Sequence, residues 1–235
     1  SVEELYHLSL DLAQKTSDLR TKLHLEGKEN ENGVIQLTSS SHYEMGKKTA
    51  EAFSKLAKKY SVLSGKYGNP KPVFFSRFMS RMGITGIYWP FTLEANVNVD
   101  TTEYSIPVTM AHVLSHLRGF MREDEANFIA YLVCKESDDL TIQYSGYMLA
   151  LTYASNQLYK ENKELYNKVL DLYDPYMLAD LREEYYYWVQ FEDSVINTIS
   201  NNMNDTYLKA NKQADGVKSY GRMVDLLLAE YRMNR

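Results

Sequence analysis

The chain has 235 residues, of which 44% are hydrophobic and 24% are charged, a balance typical of a folded globular domain. We expect residues 1–235 to form a single domain, because this length can bury a sizeable core. The net charge of −5 argues against a nucleic-acid-binding surface, which needs a clustered basic excess. The single cysteine excludes an internal disulfide. The sequence contains no run of about 18 apolar residues, the length needed to span a membrane.

Helical periodicity covers most of the chain. Leu5, Leu8 and Leu12 recur at three- and four-residue steps, which is typical of an amphipathic helix. The Gly- and Asn-containing stretch 25–39 favours a loop, and the Gly and Pro residues of 66–72 interrupt the helical pattern. The predicted helices cover residues 2–24, 41–64, 74–82, 139–161, 163–173, 176–200 and 217–233, with a polar connection over 201–216.

Residues 83–100 differ in character from the helical segments, because β-branched and aromatic residues dominate between Gly and Pro positions. Polar and apolar residues alternate over 96–100, which favours a half-buried strand, and residues 84–89 can pair with it as a hairpin. The predicted fold class is therefore mainly α (α+β) with a small β-hairpin. On its own, this hairpin is explained equally well as a structural cap over a helical core.

The most informative stretch is 104–134. His112 and His116 stand four residues apart in a helical context, so their imidazoles share one face and can reach one cation. Gly119 is typical of a helix end. The acidic run 123–125 then opens a second helix, where the helix dipole favours negative charge. The alternative is that the histidines are core residues and the acids only stabilise the helix start.

These motifs resemble those of the zincin metallopeptidases. The pattern His112-x-x-x-His116 is similar to their HExxH helix, and EDEANF at 123–128 resembles their glutamate helix of the form ExxA(D/N). With YSGY at 144–147 and DGVKSYGRMVDLLL at 215–228, the longer pattern resembles a bacterial family of membrane-anchored, zinc-peptidase-like proteins of unknown function. The resemblance extends over nearly the whole chain and implies a helical zincin-like domain.

The resemblance implies a zinc site on His112 and His116. A third ligand is needed, because catalytic zinc takes three protein groups and a water. Glu123 fits the ExxA spacing, and Glu125 is the alternative; lying two positions apart, the two carboxylates point to different sides of a helix. We expect Asn127 to orient a ligand histidine through its outer ring nitrogen.

The resemblance also implies a peptide or protein as the bound partner. Zincins present an edge strand beside the metal helix, and extended peptides pair with such an edge. This makes the strand with Glu94, Asn96 and Asn98 the candidate substrate-binding edge. Tyr144 and Tyr147 are candidate donors to a developing oxyanion, with a role in the helical core as the alternative.

One position departs from the family pattern: Val113 stands where the glutamate of HExxH is expected. That glutamate is the general base of the reaction, and losing a positioned base lowers the rate by about 10²–10⁴-fold. The protein is then a natural non-catalytic relative, an altered form of an active peptidase, or an enzyme in which another acid such as Glu125 serves as base.

We therefore predict a zinc metallopeptidase-like domain whose hydrolysis is impaired at Val113. The alternative is a non-catalytic module that binds a peptide or protein, and a third hypothesis is a helical interaction domain without metal. The resemblance implies a place at the bacterial cell membrane with this domain outside the cytoplasm. It also implies that contact with the membrane is made only through transmembrane helices upstream of these residues.

Overall fold

The computed structural model describes residues 1–37, 41–66, 68–191 and 220–234. Within these ranges the chain forms nine α-helices and three short strands, which confirms the predicted mainly α (α+β) class. The helices are α1 (Val2–Leu25), α2 (His42–Ala57), α3 (Ser76–Arg81), α4 (Ile106–Leu117), α5 (Glu123–Lys135), α6 (Leu140–Glu161), α7 (Lys163–Leu170), α8 (Pro175–Val189) and α9 (Tyr220–Met233). The strands are β1 (Lys71–Pro72), β2 (Gly86–Trp89) and β3 (Glu94–Val97).

One half of the core is organised around the long helices α1 and α6. Ser1 caps α1 by accepting the Glu4 backbone N–H, and Asp139 caps α6 by accepting the Thr141 backbone N–H. The leucine stripe of α1 packs against α6, and side chains from α7, α8 and α9 complete this cluster. The periodicity of both long segments thus predicted real helices with buried apolar faces.

A second cluster of buried side chains lies between α2, α4, α5 and the sheet. Phe53 of α2, Leu114 of α4 and Val133 of α5 are fully enclosed there. Cys134 is buried in the same cluster, where it packs as a small apolar side chain. Because α4 has neighbours on α2, α5 and the sheet, its rotation about its own axis is fixed.

The three strands are ordered β1–β3–β2. β2 pairs antiparallel with β3, with Ile87 opposite Asn96, which confirms the predicted hairpin. β1 runs parallel to β3 on its other side, with Lys71 also opposite Asn96. The middle strand is therefore β3, and β2 forms the outer strand of the hairpin beside α4.

The prediction that β3 offers a substrate-binding edge is wrong, because β1 already pairs with its outer side at Asn96. Glu94 forms an ion pair with Lys71 of β1. Asn98 is fully buried, and its Nδ2 donates to the Ser80 Oγ at 2.9 Å. The side chains of Glu94 and Asn98 thus join β3 to its neighbours.

In the C-terminal part, the structure describes residues up to 191 and then residues 220–234. α8 accounts for most of the helix predicted over 176–200, and α9 lies within the one predicted over 217–233. Residues 192–219, which include the end of the first prediction and the polar connection predicted over 201–216, lie outside the described residues. Among the helices of the described ranges, none combines the length and apolar character needed to cross a membrane.

Candidate metal centre

Both histidines lie on α4, whose two ends are set by local sequence. Pro107 occupies the first turn, where a backbone N–H would have no partner within the helix, so the lack of one costs nothing. Just beyond the helix end, Gly119 has a φ of +95°, a left-handed conformation that a residue without Cβ adopts at low cost. The Phe120 backbone N–H donates to the Ser115 carbonyl at 3.2 Å, so the chain turns sharply back at this glycine.

The turn at Gly119 leads directly into α5. Glu123 is the first residue of this helix, followed by Asp124 and Glu125 in the same first turn, where the helix dipole favours acidic side chains. Only six residues separate His116 from Glu123 in the sequence. Because the connection is this short and reverses at a glycine, the Glu123 carboxylate comes back to the histidine face of α4.

The expectation that two imidazoles and one carboxylate meet is confirmed. The His112 Nε2 lies 3.2 Å from the Glu123 Oε2, and the His116 Nε2 lies 3.4 Å from the Glu123 Oε1. The two Nε2 atoms are 2.9 Å apart. The three possible ligand atoms lie within 4.8 Å of one another, so they face one small common space.

The outer ring nitrogens of the two histidines have different surroundings. The His116 Nδ1 lies 2.8 Å from the Phe120 carbonyl, which can only accept, so Nδ1 carries a proton and, in the neutral ring, the lone pair is on Nε2. The His112 Nδ1 is buried and has no hydrogen-bond partner within the described part of the chain. The backbone of the turn therefore orients one ring of the pair.

The prediction that Asn127 orients a ligand histidine is wrong. Helix α5 packs against both α4 and α6, and the Asn127 side chain is turned to α6, where its Nδ2 donates to the Tyr153 hydroxyl at 2.9 Å. The orienting role at His116 belongs instead to the Phe120 carbonyl. The sequence does not single out the Phe120 carbonyl, because every residue has a carbonyl. Its one indication is Gly119, whose left-handed conformation turns the backbone of Phe120 towards α4.

The charges of the cluster shift the protonation of its members. Burial disfavours the ionised carboxylate of Glu123, but hydrogen bonds and charges from His112 and His116 outweigh burial and hold its pKa well below the usual range. Burial similarly lowers the pKa of His116, but the Glu123 carboxylate and the Phe120 carbonyl overcome this and raise it. The cluster therefore keeps the Glu123 carboxylate ionised and makes the His116 ring easier to protonate.

Glu125, the alternative third ligand, lies outside the cluster. Its Oε1 is 3.4 Å from the Arg122 Nε, and the same guanidinium holds Asp124 at 2.8 Å. The two-residue offset from Glu123 places it on another side of α5, as the helical geometry requires. The geometry thus selects Glu123, and it gives no support to Glu125 as a replacement base.

Val113, at the position of the expected base, is a packing residue. Only 1% of it is exposed, and it lies directly against Gly86 of β2. A Cβ added at Gly86 would overlap the Val113 Cγ2 and come within 3.3 Å of the Thr109 Cγ2. Helix α4 and strand β2 therefore approach so closely at Val113 that only glycine fits there.

The prediction that Tyr144 and Tyr147 serve the site is wrong, because both belong to the other core cluster. The Tyr144 hydroxyl donates to the Asp180 Oδ2 at 2.7 Å, and that oxygen also accepts from the Arg20 Nε at 2.7 Å. Tyr147 packs edge-on against Tyr131, with ring centroids 5.7 Å apart. The alternative role in the helical core is the one observed.

The fold and the site together define a mainly α protein with a small sheet and a candidate metal centre of two histidines and one glutamate. The chain belongs to the family described as "Protein of unknown function (DUF3810)", whose profile matches residues 1–228. Comparisons with curated proteins and with solved structures found no match.

Proposed function

We propose that the chain binds one zinc ion through His112, His116 and Glu123. The donor set supports this choice of metal, since two imidazoles and one carboxylate form one of the ligand sets of catalytic zinc. Carboxylates and carbonyls alone would suit magnesium or calcium, and thiolates would suit softer metals. The Glu123 carboxylate would offset part of the charge of a divalent cation, and the two imidazole nitrogens would donate their lone pairs to it.

The spacing of the donors is the observation that carries this proposal. Tetrahedral ligands at about 2.0–2.1 Å from zinc stand about 3.3–3.4 Å from each other. The two Nε2 atoms are 2.9 Å apart, and they lie 3.2 and 3.4 Å from the two different oxygens of the Glu123 carboxylate. One ligand atom from each residue lies within 4.8 Å of the other two, so small adjustments of the rings and the carboxylate bring the donors to the ideal separation.

The function that we propose for this site is that of a zinc metallopeptidase-like domain with impaired hydrolysis. Zinc in such a site polarises a carbonyl and makes water a stronger nucleophile. The outer strand β2, which passes beside α4 at Gly86 and Val113, is suited to hold an extended peptide by strand addition. Val113 cannot accept a proton, so we expect slow cleavage.

A second candidate function is peptide binding without cleavage. The observation that favours it is the packing of Val113, which is buried against Gly86 and completes the contact between α4 and β2. A side chain that fits its surroundings this closely is suited to a stable binding module. The two candidates share the zinc site and the strand, and they differ in whether a base at position 113 restores turnover.

The zinc proposal is tested by a matched pair of variants, Glu123→Gln and Glu125→Gln. Loss of a ligand's supporting partner weakens metal affinity by about 10–100-fold, so loss of the ligand Glu123 is expected to weaken zinc binding by at least about 100-fold. Glu125→Gln removes a neighbouring carboxylate that points to Arg122, and is expected to leave the zinc affinity unchanged.

The measurement is zinc affinity by competition with a chromogenic chelator, with circular dichroism as the check on folding. Equal zinc affinities for the two folded variants would exclude Glu123 as a ligand. A loss confined to Glu125→Gln would point to the other carboxylate.

A further inference from the structure

Charge is distributed unevenly along this acidic chain. Residues 52–93 contain seven lysines and arginines and no aspartate or glutamate. Since the whole chain carries −5, this segment carries +7 and the remaining residues carry −12. Four of these cations pair with acids outside the segment, so the excess that remains on the surface is smaller than this count; they are Lys55, Lys59, Lys71 and Arg77.

Within this segment, α3 buries serine side chains and exposes a phenylalanine, the reverse of the usual arrangement. Its buried residues are Ser76, Met79 and Ser80, and the two serines are tied down by hydrogen bonds. The Ser76 Oγ donates to the Val73 carbonyl at 2.6 Å, and the Ser80 Oγ donates to the Asp100 carbonyl at 2.7 Å. The polar side of this short helix therefore faces the protein.

The opposite side of α3 and the turn before it expose three phenylalanines. Phe74 is 93% exposed, Phe75 is 70% exposed and Phe78 is 56% exposed. Phe74 and Phe75 contact each other edge-to-face, with ring centroids 5.1 Å apart. Contiguous aromatic side chains of this size rarely stay in water unless they meet a partner. We call these three residues the Phe74–Phe78 surface.

Residues 66–100, which include this surface, contain four lysines and arginines and two acids, so they keep a net charge of +2. Arg77 lies between the phenylalanines in sequence and is 3.4 Å from Asp100, while Lys71 pairs with Glu94. Both acidic residues of β3 and its following turn are thus already matched by a cation. Arg81 adds a further positive charge one turn along α3.

We propose that the Phe74–Phe78 surface binds the face of an anionic lipid bilayer. Phenylalanine rings enter the boundary between headgroups and acyl chains, and basic side chains beside them are attracted to acidic headgroups. A second copy of the chain is a poorer occupant: in a two-fold contact the same patch meets itself, so Arg77 and Arg81 would face like charges. This inference is independent of the zinc site.

The test is co-sedimentation of the full chain with lipid vesicles. The probes are vesicles of phosphatidylcholine alone and vesicles in which roughly one third of the lipid is phosphatidylserine. We expect binding to the anionic vesicles, weaker binding to the neutral ones, and a loss of binding as salt concentration rises. Phe74→Ser with Phe78→Ser is expected to weaken binding at least tenfold, since burying a phenylalanine in an apolar phase accounts for about that factor.

Leu25→Ser is the matched control, because Leu25 is 79% exposed but lies at the end of α1. It is expected to bind vesicles like the unaltered chain. Phe74→Ser alone, at a position almost fully in solvent, provides a variant whose folding is not at risk. Absence of binding to either vesicle by the unaltered chain would overturn the proposal. Equal weakening by Leu25→Ser and by the Phe74 variants would overturn it too.

Discussion

Val113→Glu is expected to raise the zinc-dependent rate of peptide hydrolysis by about 10²–10⁴-fold, the factor that a positioned general base contributes. Position 113 directly follows the ligand candidate His112 on α4 and lies beside β2. It is the position of the general base in the HExxH pattern that the sequence resembles, and a carboxylate must displace the packing against Gly86 to act on the site. The measurement is the cleavage rate of a fluorescence-quenched peptide library by the zinc-loaded chain.

Val113→Gln is the matched control for this experiment, because glutamine has the size of glutamate but cannot take up the proton. Both variants exchange a buried apolar side chain packed on Gly86 for a longer polar one, so both are expected to lower the free energy of unfolding by at least about 1–3 kcal/mol, the charged glutamate by more than the glutamine. If both variants fold, bind zinc and cleave peptides at the same rate, the idea of a missing base is wrong and non-catalytic binding is favoured.

Asp180→Ala is expected to lower the free energy of unfolding by about 3–5 kcal/mol, the range seen when one partner of a buried ion pair is removed. Asp180 and Arg20 are both fully enclosed, with the Nε and Oδ2 atoms 2.7 Å apart. Asp180 also accepts from the Tyr144 hydroxyl and, at 2.8 Å, from the Ile35 backbone N–H. Its loss therefore leaves the buried guanidinium with Glu29 as its remaining ion-pair partner and leaves two more donors unpaired.

The control is Glu51→Ala, which breaks the exposed pair with Lys47, whose charged atoms are 4.0 Å apart on the surface of α2. Exposed pairs of this kind contribute little, so the change is expected to stay within about 0.5 kcal/mol. Unfolding in urea, followed by circular dichroism, gives both values. Similar small losses for the two variants would show that the buried pair does not hold α1 to α8.

The parts of the protein that sequence reasoning predicted well are those set by local geometry. His112 and His116 share a helix face because four residues make about one turn. Gly119 allows a reversal only a few residues later, which limits where Glu123 can lie. A cluster built from two consecutive helices and one glycine turn is therefore readable from residue spacing.

The parts that could not be predicted depend on contacts distant in sequence. Nothing in the pattern of Lys71 and Pro72 indicates that they pair with β3, so the sequence alone predicts β3 as an edge strand. Likewise, Tyr144 meets Asp180 only because α6 and α8 pack into the same core cluster. A tyrosine in a helix looks the same in sequence whether its hydroxyl faces a site or a buried carboxylate.

The most direct measurement is the zinc content of the purified chain after reconstitution with zinc and removal of the excess, determined by elemental analysis. We expect one zinc per chain, falling to none when His112→Ala and His116→Ala are combined in a variant that still folds. A zinc content near zero in the unaltered chain, or a content that persists without these two imidazoles, would contradict the assignment of the metal centre.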